Sequence, residues 1–177
     1  MESSTMKELR TARLFLTPYH SNDLLNLLNL RKSEKVWHFS TNIADNSIEQ
    51  ATLHLDEILA KYENHDYAPF ALLNSDEIYV GEAGVYHGNI ECKKINIGYN
   101  LLPEFWGNGY ATEITKALIH WYFSNTDMQR IEGTVTEDNA ASRRVLEKSN
   151  MVLEGVLRKY TMLKGEYKNV CIYSIIR

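Results

Sequence analysis

The chain has 177 residues, of which 44% are hydrophobic and 24% are charged, as in ordinary globular domains. This length is typical of one domain, and we predict a single domain over residues 1–177. A formal net charge of −4 argues against nucleic acid as a partner, because nucleic-acid-binding domains normally carry a basic surface. No run of about eighteen apolar residues occurs, so neither a membrane-spanning segment nor a membrane partner is predicted.

The first residues of the chain contain no apolar stretch of the kind found in secretory signal peptides. Only two cysteines occur, Cys92 and Cys171, and each lies in a predicted strand. Two free thiols in a reducing compartment are a simpler interpretation than a disulfide or a metal site. We therefore expect a cytoplasmic protein with no bound metal.

Strand-like and helix-like segments follow one another along the chain without a linker between them. Alternating apolar and polar residues predict strands, whereas apolar residues at helical spacing predict helices. In chain order the predicted elements are a strand at 10–18, a helix at 22–31, a helix that begins at the capping box Ser47–Gln50, strands at 67–73, 78–86 and 94–102, a helix at 109–124, a strand at 130–136, a helix at 139–149, and strands at 152–162 and 167–176. The predicted hairpin turns are 74–76, 87–89 and 164–165. This order predicts a mixed sheet with helices on both faces.

A glycine-containing segment, Pro103–Glu113, lies where a predicted strand passes into a predicted helix, with Gly107 and Gly109 at the junction. A helix start leaves backbone N–H groups unpaired and carries the positive end of the helix dipole. Glycine lets the backbone bend there and lets a bulky anion approach closely. The segment therefore predicts a phosphate-binding loop that needs neither a metal nor a lysine.

Two common phosphate-binding motifs do not describe this loop. A P-loop ends in Gly-Lys-Ser/Thr, and no such tripeptide occurs here. A dinucleotide-binding fingerprint has a third glycine three residues after the second, where this chain has Thr112. A glycine-rich turn that only connects two elements remains the alternative interpretation.

A second motif occupies residues 139–155 and reads Asn-Ala-Ala-Ser-Arg-Arg-Val-Leu-Glu-Lys-Ser-Asn-Met-Val-Leu-Glu-Gly. With the first motif it resembles the GNAT superfamily of acetyl-CoA-dependent N-acetyltransferases, in particular the RimJ/RimL-like branch of ribosomal-protein-alanine acetyltransferases. The resemblance covers nearly the whole chain, and the two motifs at this spacing are more specific than either alone. The chain departs from the family pattern at Asn150–Met151, where Gly-Phe is usual, and at Trp106, where many members have Gln or Arg.

The resemblance implies a fold, a reaction and a cofactor. The expected fold is α/β (α+β): a mixed, mostly antiparallel sheet of about seven strands, splayed between the fourth and fifth strands, with helices on both faces. The expected activity is direct transfer of an acetyl group from acetyl-CoA to a primary amine, with CoA as product. The acceptor is a protein N-terminus or a small molecule, including a polyamine or an antibiotic. A non-catalytic acyl-CoA-binding or regulatory module is the alternative, and a homodimer is left open.

The resemblance also implies which residues contact the cofactor. Backbone N–H groups of the glycine loop would bind the pyrophosphate, and the edge of the strand before the loop would pair with the pantetheine amides. The predicted cofactor-binding residues are Tyr99, Asn100, Leu101, Trp106, Gly107, Asn108, Gly109, Tyr110, Ala111, Thr112, Asn139, Ser142 and Lys148. Asn139 could instead only start a helix, and Lys148, with Arg143–Arg144, could belong to a solvated helix face.

Catalysis requires a hydrogen-bond donor for the sulfur of the leaving group. In many GNAT enzymes this donor is a tyrosine seven residues after the motif asparagine, and here that residue is Leu146, which cannot donate. RimL-like proteins carry a serine at the position of Ser142, so the resemblance favours Ser142 as a catalytic residue. A serine that only caps the helix is the alternative.

A base, or a water held by one, must also take a proton from the amine, whose pKa lies above neutrality. Glu82 lies on a predicted central strand and is the first candidate, and His87 and Glu91 flank the next predicted turn. A surface or structural role is the open alternative for each of the three. The glutamate that some RimL-like members have in the penultimate strand is matched here by Thr161. The family covers its acceptor pocket with the region after the first helix, so Trp37 and Phe39, together with Tyr86, are the predicted substrate-binding residues.

Overall fold

The computed structural model describes residues 6–40, 44–45 and 47–177. These residues form one open sheet with the strand order β1-β2-β3-β4-β5-β6-β8-β7. The strands are β1 Leu9–Arg10, β2 Leu14–Thr17, β3 Pro69–Asn74, β4 Tyr79–Asn89, β5 Lys94–Leu101, β6 Arg130–Thr136, β7 Val152–Leu163 and β8 Glu166–Ile176. The helices are α1 Leu24–Arg31, α2 Ile48–Glu63, α3 Tyr110–Asn125 and α4 Ala140–Lys148, with 3-10 turns at Ser21–Asp23, Val36–Phe39 and Pro103–Phe105.

The pairing between β5 and β6 is the exception within this sheet. Every other pair of neighbouring strands is antiparallel, whereas β5 and β6 are parallel. They pair only at residues 94–96 with 130–132, and then separate. This confirms the predicted mostly antiparallel sheet, open between the fourth and fifth of the predicted strands. The additional strand, β1, has two residues, of which only Arg10 lies within the strand predicted at 10–18. A turn at 11–13 separates β1 from β2.

Two hydrophobic cores lie on opposite faces of the sheet. Successive residues of β3 alternate between them, with Leu72 in one core and Ala71 in the other. The first core contains Leu118 of α3, and the second contains Leu27 of α1 and Leu55 of α2. Because side chains alternate across a strand, α1 and α2 cover one face and α3 covers the other. The predicted placement of helices on both faces is thereby confirmed.

Local signals for two element boundaries are confirmed. The Ser47 hydroxyl accepts a hydrogen bond from the Gln50 N–H at 3.2 Å, and α2 begins at Ile48, directly after Ser47. Lys164 and Gly165 form the turn between β7 and β8, with φ angles of 49° and 83°. Left-handed backbone at both central residues suits the twist of a two-residue hairpin.

The predicted turn at 87–89 is wrong, because β4 continues to Asn89 and the turn lies at residues 90–93. Gly88 pairs with Ile95, and a Cβ on Gly88 would lie 2.1 Å from the Tyr67 ring. Gly88 is therefore a strand residue whose lack of a side chain lets the Tyr67 ring pack against the backbone of β4. Cys92 consequently lies exposed in the turn and outside any strand, and it and the buried Cys171 are free thiols. Among the described residues, the helices are all too short or too polar to cross a bilayer.

Gly81 tests the register of the central strands. Its φ is 147°, and a Cβ there would lie 2.1 Å from the backbone oxygen of Asn100 on β5. We expect Gly81→Ala to lower the free energy of unfolding by about 2–4 kcal/mol, measured by urea denaturation, because two backbones would have to move apart. Gly155→Ala is the matched control, since its Cβ meets no atom within 4 Å, and it should change stability by less than about 1 kcal/mol. Equal losses in the two variants would contradict this packing.

Candidate active site

The gap between β5 and β6 opens into a cleft of about 1230 Å³. The 3-10 turn that contains Phe39 lines it on the side of α1 and α2, and Leu146 of α4 lines it on the other side. The loop before α3 closes one end, and Tyr160 of β7 lines another wall. From Ile97 to Leu101, β5 pairs with no strand on its β6 side within the described part of the chain, so this strand edge borders the cleft.

The loop before α3 has the properties of an anion-binding site. Gly109 is the N-cap of α3 with a φ of 79°, and no side chain caps the helix. The first hydrogen bond of the helix joins the Glu113 N–H to the Gly109 oxygen. Within the described parts of the chain, the backbone N–H groups of residues 107–112 have no hydrogen-bond acceptor. Exposed N–H groups at the positive end of a helix dipole favour a phosphate.

Arg13 holds this loop in place, although no sequence signal indicated it. Its guanidinium donates to the Asn108 backbone oxygen at 3.0 Å and to the Glu113 carboxylate at 2.8 Å. The other oxygen of that carboxylate accepts from the Thr11 hydroxyl at 2.6 Å. Partial burial raises the pKa of Glu113, but the hydrogen bonds from Thr11 and Arg13 outweigh it and lower the pKa below its ordinary value. The Trp106 indole N–H adds a bond to the Leu101 oxygen at 2.7 Å.

The start of α4 presents Ser142 to the cleft. Asn139 is the N-cap, and its side-chain oxygen accepts the Ser142 N–H at 3.1 Å. This places the Ser142 side chain on the first helical turn, where it lines the cleft. Arg143 turns away and donates to the Tyr173 hydroxyl at 3.2 Å, whereas Arg144 and Lys148 line the cleft.

Leu146 lies at the position where the resemblance led us to look for a tyrosine. It is buried in the core, and a Cβ on Gly133 of β6 would lie only 2.8 Å from its Cδ2. The missing side chain of Gly133 therefore gives Leu146 its space. This part of the cleft wall is apolar and offers no hydrogen bond.

Tyr99 of β5 lines the cleft next to Ser142. Among the described residues its buried hydroxyl finds no partner at hydrogen-bond geometry. Burial raises the pKa of Tyr99, and the nearby Ser142 hydroxyl offsets part of that rise. A buried hydroxyl without a partner is costly, so a small rotation that brings it onto the Ser142 oxygen would be favourable.

The Glu82 side chain is buried on the face of the sheet that α1 and α2 cover, and it does not line the cleft. Only 2% of it is exposed. Its carboxylate accepts hydrogen bonds from Tyr86 at 3.0 Å, from Asn100 at 2.8 Å and from Tyr19 at 3.2 Å. The Tyr79 hydroxyl lies 2.7 Å from that of Tyr19 and extends the network.

The remaining predicted residues divide between the cleft and the core. Every predicted cofactor residue lines the cleft except Asn108, whose side chain bonds to the loop's own backbone. Of the predicted substrate residues, only Phe39 lines it. Trp37 is buried in the second core and donates to the Leu30 oxygen at 3.1 Å, and Tyr86 lies against Gly98. Across the described residues, no cluster of three or more His, Cys, Asp or Glu could hold a metal.

Comparison with known proteins identifies the class. Residues 13–152 match the acetyltransferase (GNAT) domain family, so the chain belongs to this family. It is 29% identical over 170 residues to an uncharacterized N-acetyltransferase, YoaA, of Bacillus subtilis, with 96% of both chains covered. It is 31% identical over 84 residues to the ribosomal-protein-serine acetyltransferase of Escherichia coli, with 48% of this chain and 47% of the relative covered.

Solved structures show the same fold. The RimL acetyltransferase of ribosomal protein L7/L12, in complex with CoA, gives a TM-score of 0.87 at 22% identity, over 96% of this chain and 97% of that one. The microcin C7 self-immunity acetyltransferase MccE, in complex with acetyl-CoA and AMP, also gives 0.87, at 21% identity and 94% of both chains. The predicted family and fold are confirmed, and with them the acyltransferase class, whose enzymes use acetyl-CoA.

Gly109 tests the anion-binding loop. We expect Gly109→Val to weaken acetyl-CoA binding at least tenfold in calorimetry, because a branched side chain would stand beside the free N–H groups and strain a φ of 79°. Gly165→Val is the control, since Gly165 has a φ of 83° in the turn between β7 and β8, and this turn does not line the cleft. Unchanged affinity in folded Gly109→Val would remove the loop from the binding site.

Proposed function

We propose that this protein transfers the acetyl group of acetyl-CoA directly to a primary amine. One observation carries the proposal: the open edge of β5 and the uncapped start of α3 border the same cleft. The free N–H groups at 107–112 suit the pyrophosphate, and the edge at 97–101 suits the two pantetheine amides, which would add to it as a strand does. Arg144 and Lys148 suit a further phosphate.

The chemistry needs few groups from the protein. Acetyl-CoA supplies the acetyl group as an activated thioester. The amine nitrogen forms the new C–N bond as the C–S bond breaks, the amine loses a proton to water, and the sulfur gains one. Ser142 would donate a hydrogen bond to that sulfur, and Tyr99 would orient the serine by donating to its oxygen. Because the Tyr99 hydroxyl is buried, it would act through Ser142 as a positioning residue.

The charge of the cleft favours an acceptor with a single amine. Of the described residues that line the cleft, only Glu132 carries a carboxylate, and it is engaged by Arg130 at 2.6 Å. Glu82 is enclosed. A polyamine carries several positive charges and would be expected to meet several carboxylates. An α-amine of a protein N-terminus or of a small molecule meets no such requirement, and one relative acts on a ribosomal protein.

A panel of acceptors tests the proposal. We expect CoA release with a short peptide that has a free α-amine, and none with the same peptide after N-terminal acetylation. Spermidine should give a kcat/KM at least tenfold lower than the peptide. Binding of acetyl-CoA without release for any amine would favour an acyl-CoA-binding module, and a preference for spermidine would overturn the acceptor class alone.

Ser142 tests the catalytic assignment. We expect Ser142→Ala to lower kcat by roughly ten- to a thousandfold with little change in acetyl-CoA affinity, because it removes a donor to the leaving sulfur. Tyr99→Phe should lower kcat less, and should add nothing in the Ser142→Ala background. Ser149→Ala is the control at the end of the same helix, since the Ser149 hydroxyl bonds to the Val145 oxygen and Ser149 does not line the cleft. A wild-type rate in Ser142→Ala would exclude this role.

A further inference from the structure

We propose that Asn100 binds the acceptor amine, by accepting one amine N–H on its side-chain oxygen, and that Glu82 is the positioning residue that fixes this orientation. The inference rests on the proposed function, because it assigns a residue to the amine within that reaction. It also gives the enclosed carboxylate a role other than that of a base.

The hydrogen bonds leave only one orientation for the Asn100 amide. A carboxylate only accepts, so the Asn100 atom that lies 2.8 Å from Glu82 Oε1 is the NH₂ group. Tyr86 gives its one hydroxyl hydrogen to the same carboxylate oxygen at 3.0 Å. Toward Asn100, at 3.1 Å, the Tyr86 oxygen therefore accepts. The Asn100 NH₂ group is therefore the donor to both oxygens of this buried pair.

The oxygen of the same amide remains available. Within the described chain, Asn100 Oδ1 accepts no hydrogen bond, and the bonds of this side chain are those that its NH₂ group donates. Asn100 lines the cleft, whereas Glu82 and Tyr86 do not. Because the NH₂ group is directed at the buried pair, the oxygen is left for the cleft. It is an acceptor without a donor, and an amine supplies the donor.

A buried hydrogen-bond network holds the Glu82 carboxylate in place, so that it can fix the orientation of the Asn100 amide. Its second oxygen accepts from Tyr19, which is itself 2.7 Å from the Tyr79 hydroxyl. Burial, reinforced by the Glu82 charge, raises the pKa of Tyr19 and of Tyr86, so both hydroxyls stay protonated and remain donors. Charged and titratable groups of the covering helices also face this region. Burial lowers the pKa of His54 on α2, as does Arg31 of α1, while Glu82 opposes them.

The position of Asn100 on β5 fits an amine contact. Asn100 pairs with Glu82 across the β4–β5 ladder. The Tyr99 side chain instead packs against the first core, the one that contains Leu118, and lies next to Ser142. Adjacent strand residues point to opposite faces. The Tyr99–Ser142 pair and the amine contact would thus lie on opposite sides of one strand, with the thioester between them. An amide oxygen is too weak a base to take the proton, so water would take it.

A double-mutant cycle tests the assignment. We expect Asn100→Ala to raise the KM for a peptide amine about ten- to a hundredfold, with acetyl-CoA affinity unchanged. Glu82→Gln should also raise the KM for the peptide amine, but by less. A glutamine amide can donate as well as accept, so it would allow the Asn100 side-chain amide to flip. The double variant should be no worse than Asn100→Ala alone. Asn96→Ala is the control, since Asn96 also lies on β5 and lines the cleft.

Three outcomes decide the assignment. An unchanged amine KM in Asn100→Ala would overturn it while the wild-type rate leaves the proposed function intact. A further loss from Glu82→Gln in the Asn100→Ala background, with a pH-profile inflection abolished, would make Glu82 a base instead. If the wild type turns over no amine, calorimetry of the peptide amine with the CoA-loaded protein still decides, because Asn100→Ala should weaken that binding to the same extent.

Discussion

The separation of β5 from β6 after three residue pairs is the constraint on which the site depends. β5 stays paired with β4 and β6 with β8, so among the described residues the gap leaves the facing backbone edges of both strands without a strand partner. Unpaired main-chain groups are costly when buried away from water, and here they border a cleft. The uncapped start of α3 opens onto the same cleft. Recognition of the cofactor can therefore rest on main-chain groups, which need no particular side chain.

An open main-chain site needs support from outside the cleft, and side chains distant in sequence give it. Arg13 and Glu113 fasten the loop from behind, so its N–H groups are arranged before any ligand arrives. Gly133 admits Leu146 to the wall, and Asn139 fixes the first turn of α4. These contacts lie among residues that do not react. Preorganisation of this kind lowers the entropy that binding must overcome.

Signals carried by neighbouring residues predicted most of the fold. The strand alternation, the Ser47 cap and the glycine loop each depend on a few adjacent residues. The turn at 87–89 failed because Gly88 serves the Tyr67 ring, a contact made through tertiary structure. Most predicted cofactor residues line the cleft, because they belong to short motifs whose signals are carried by neighbouring residues. The hydrogen bonds from Arg13 to the loop before α3, and those from Tyr19 and Asn100 to Glu82, join residues far apart in the chain. No local sequence pattern encodes such pairs.

The register of β4 and β5 joins the fold to the proposed chemistry. A shift of one residue would move every side chain of β5 to the opposite face and exchange Tyr99 with Asn100. Gly81 opposes this shift, because without a side chain it lets the Asn100 backbone oxygen approach closely. The Glu82–Asn100 bond adds a polar reason for the same register. A buried charge with satisfied hydrogen bonds penalises every alternative pairing that would leave it unpaired. The network thus specifies the strand pairing, and the strand pairing keeps the Tyr99 and Asn100 side chains on opposite faces.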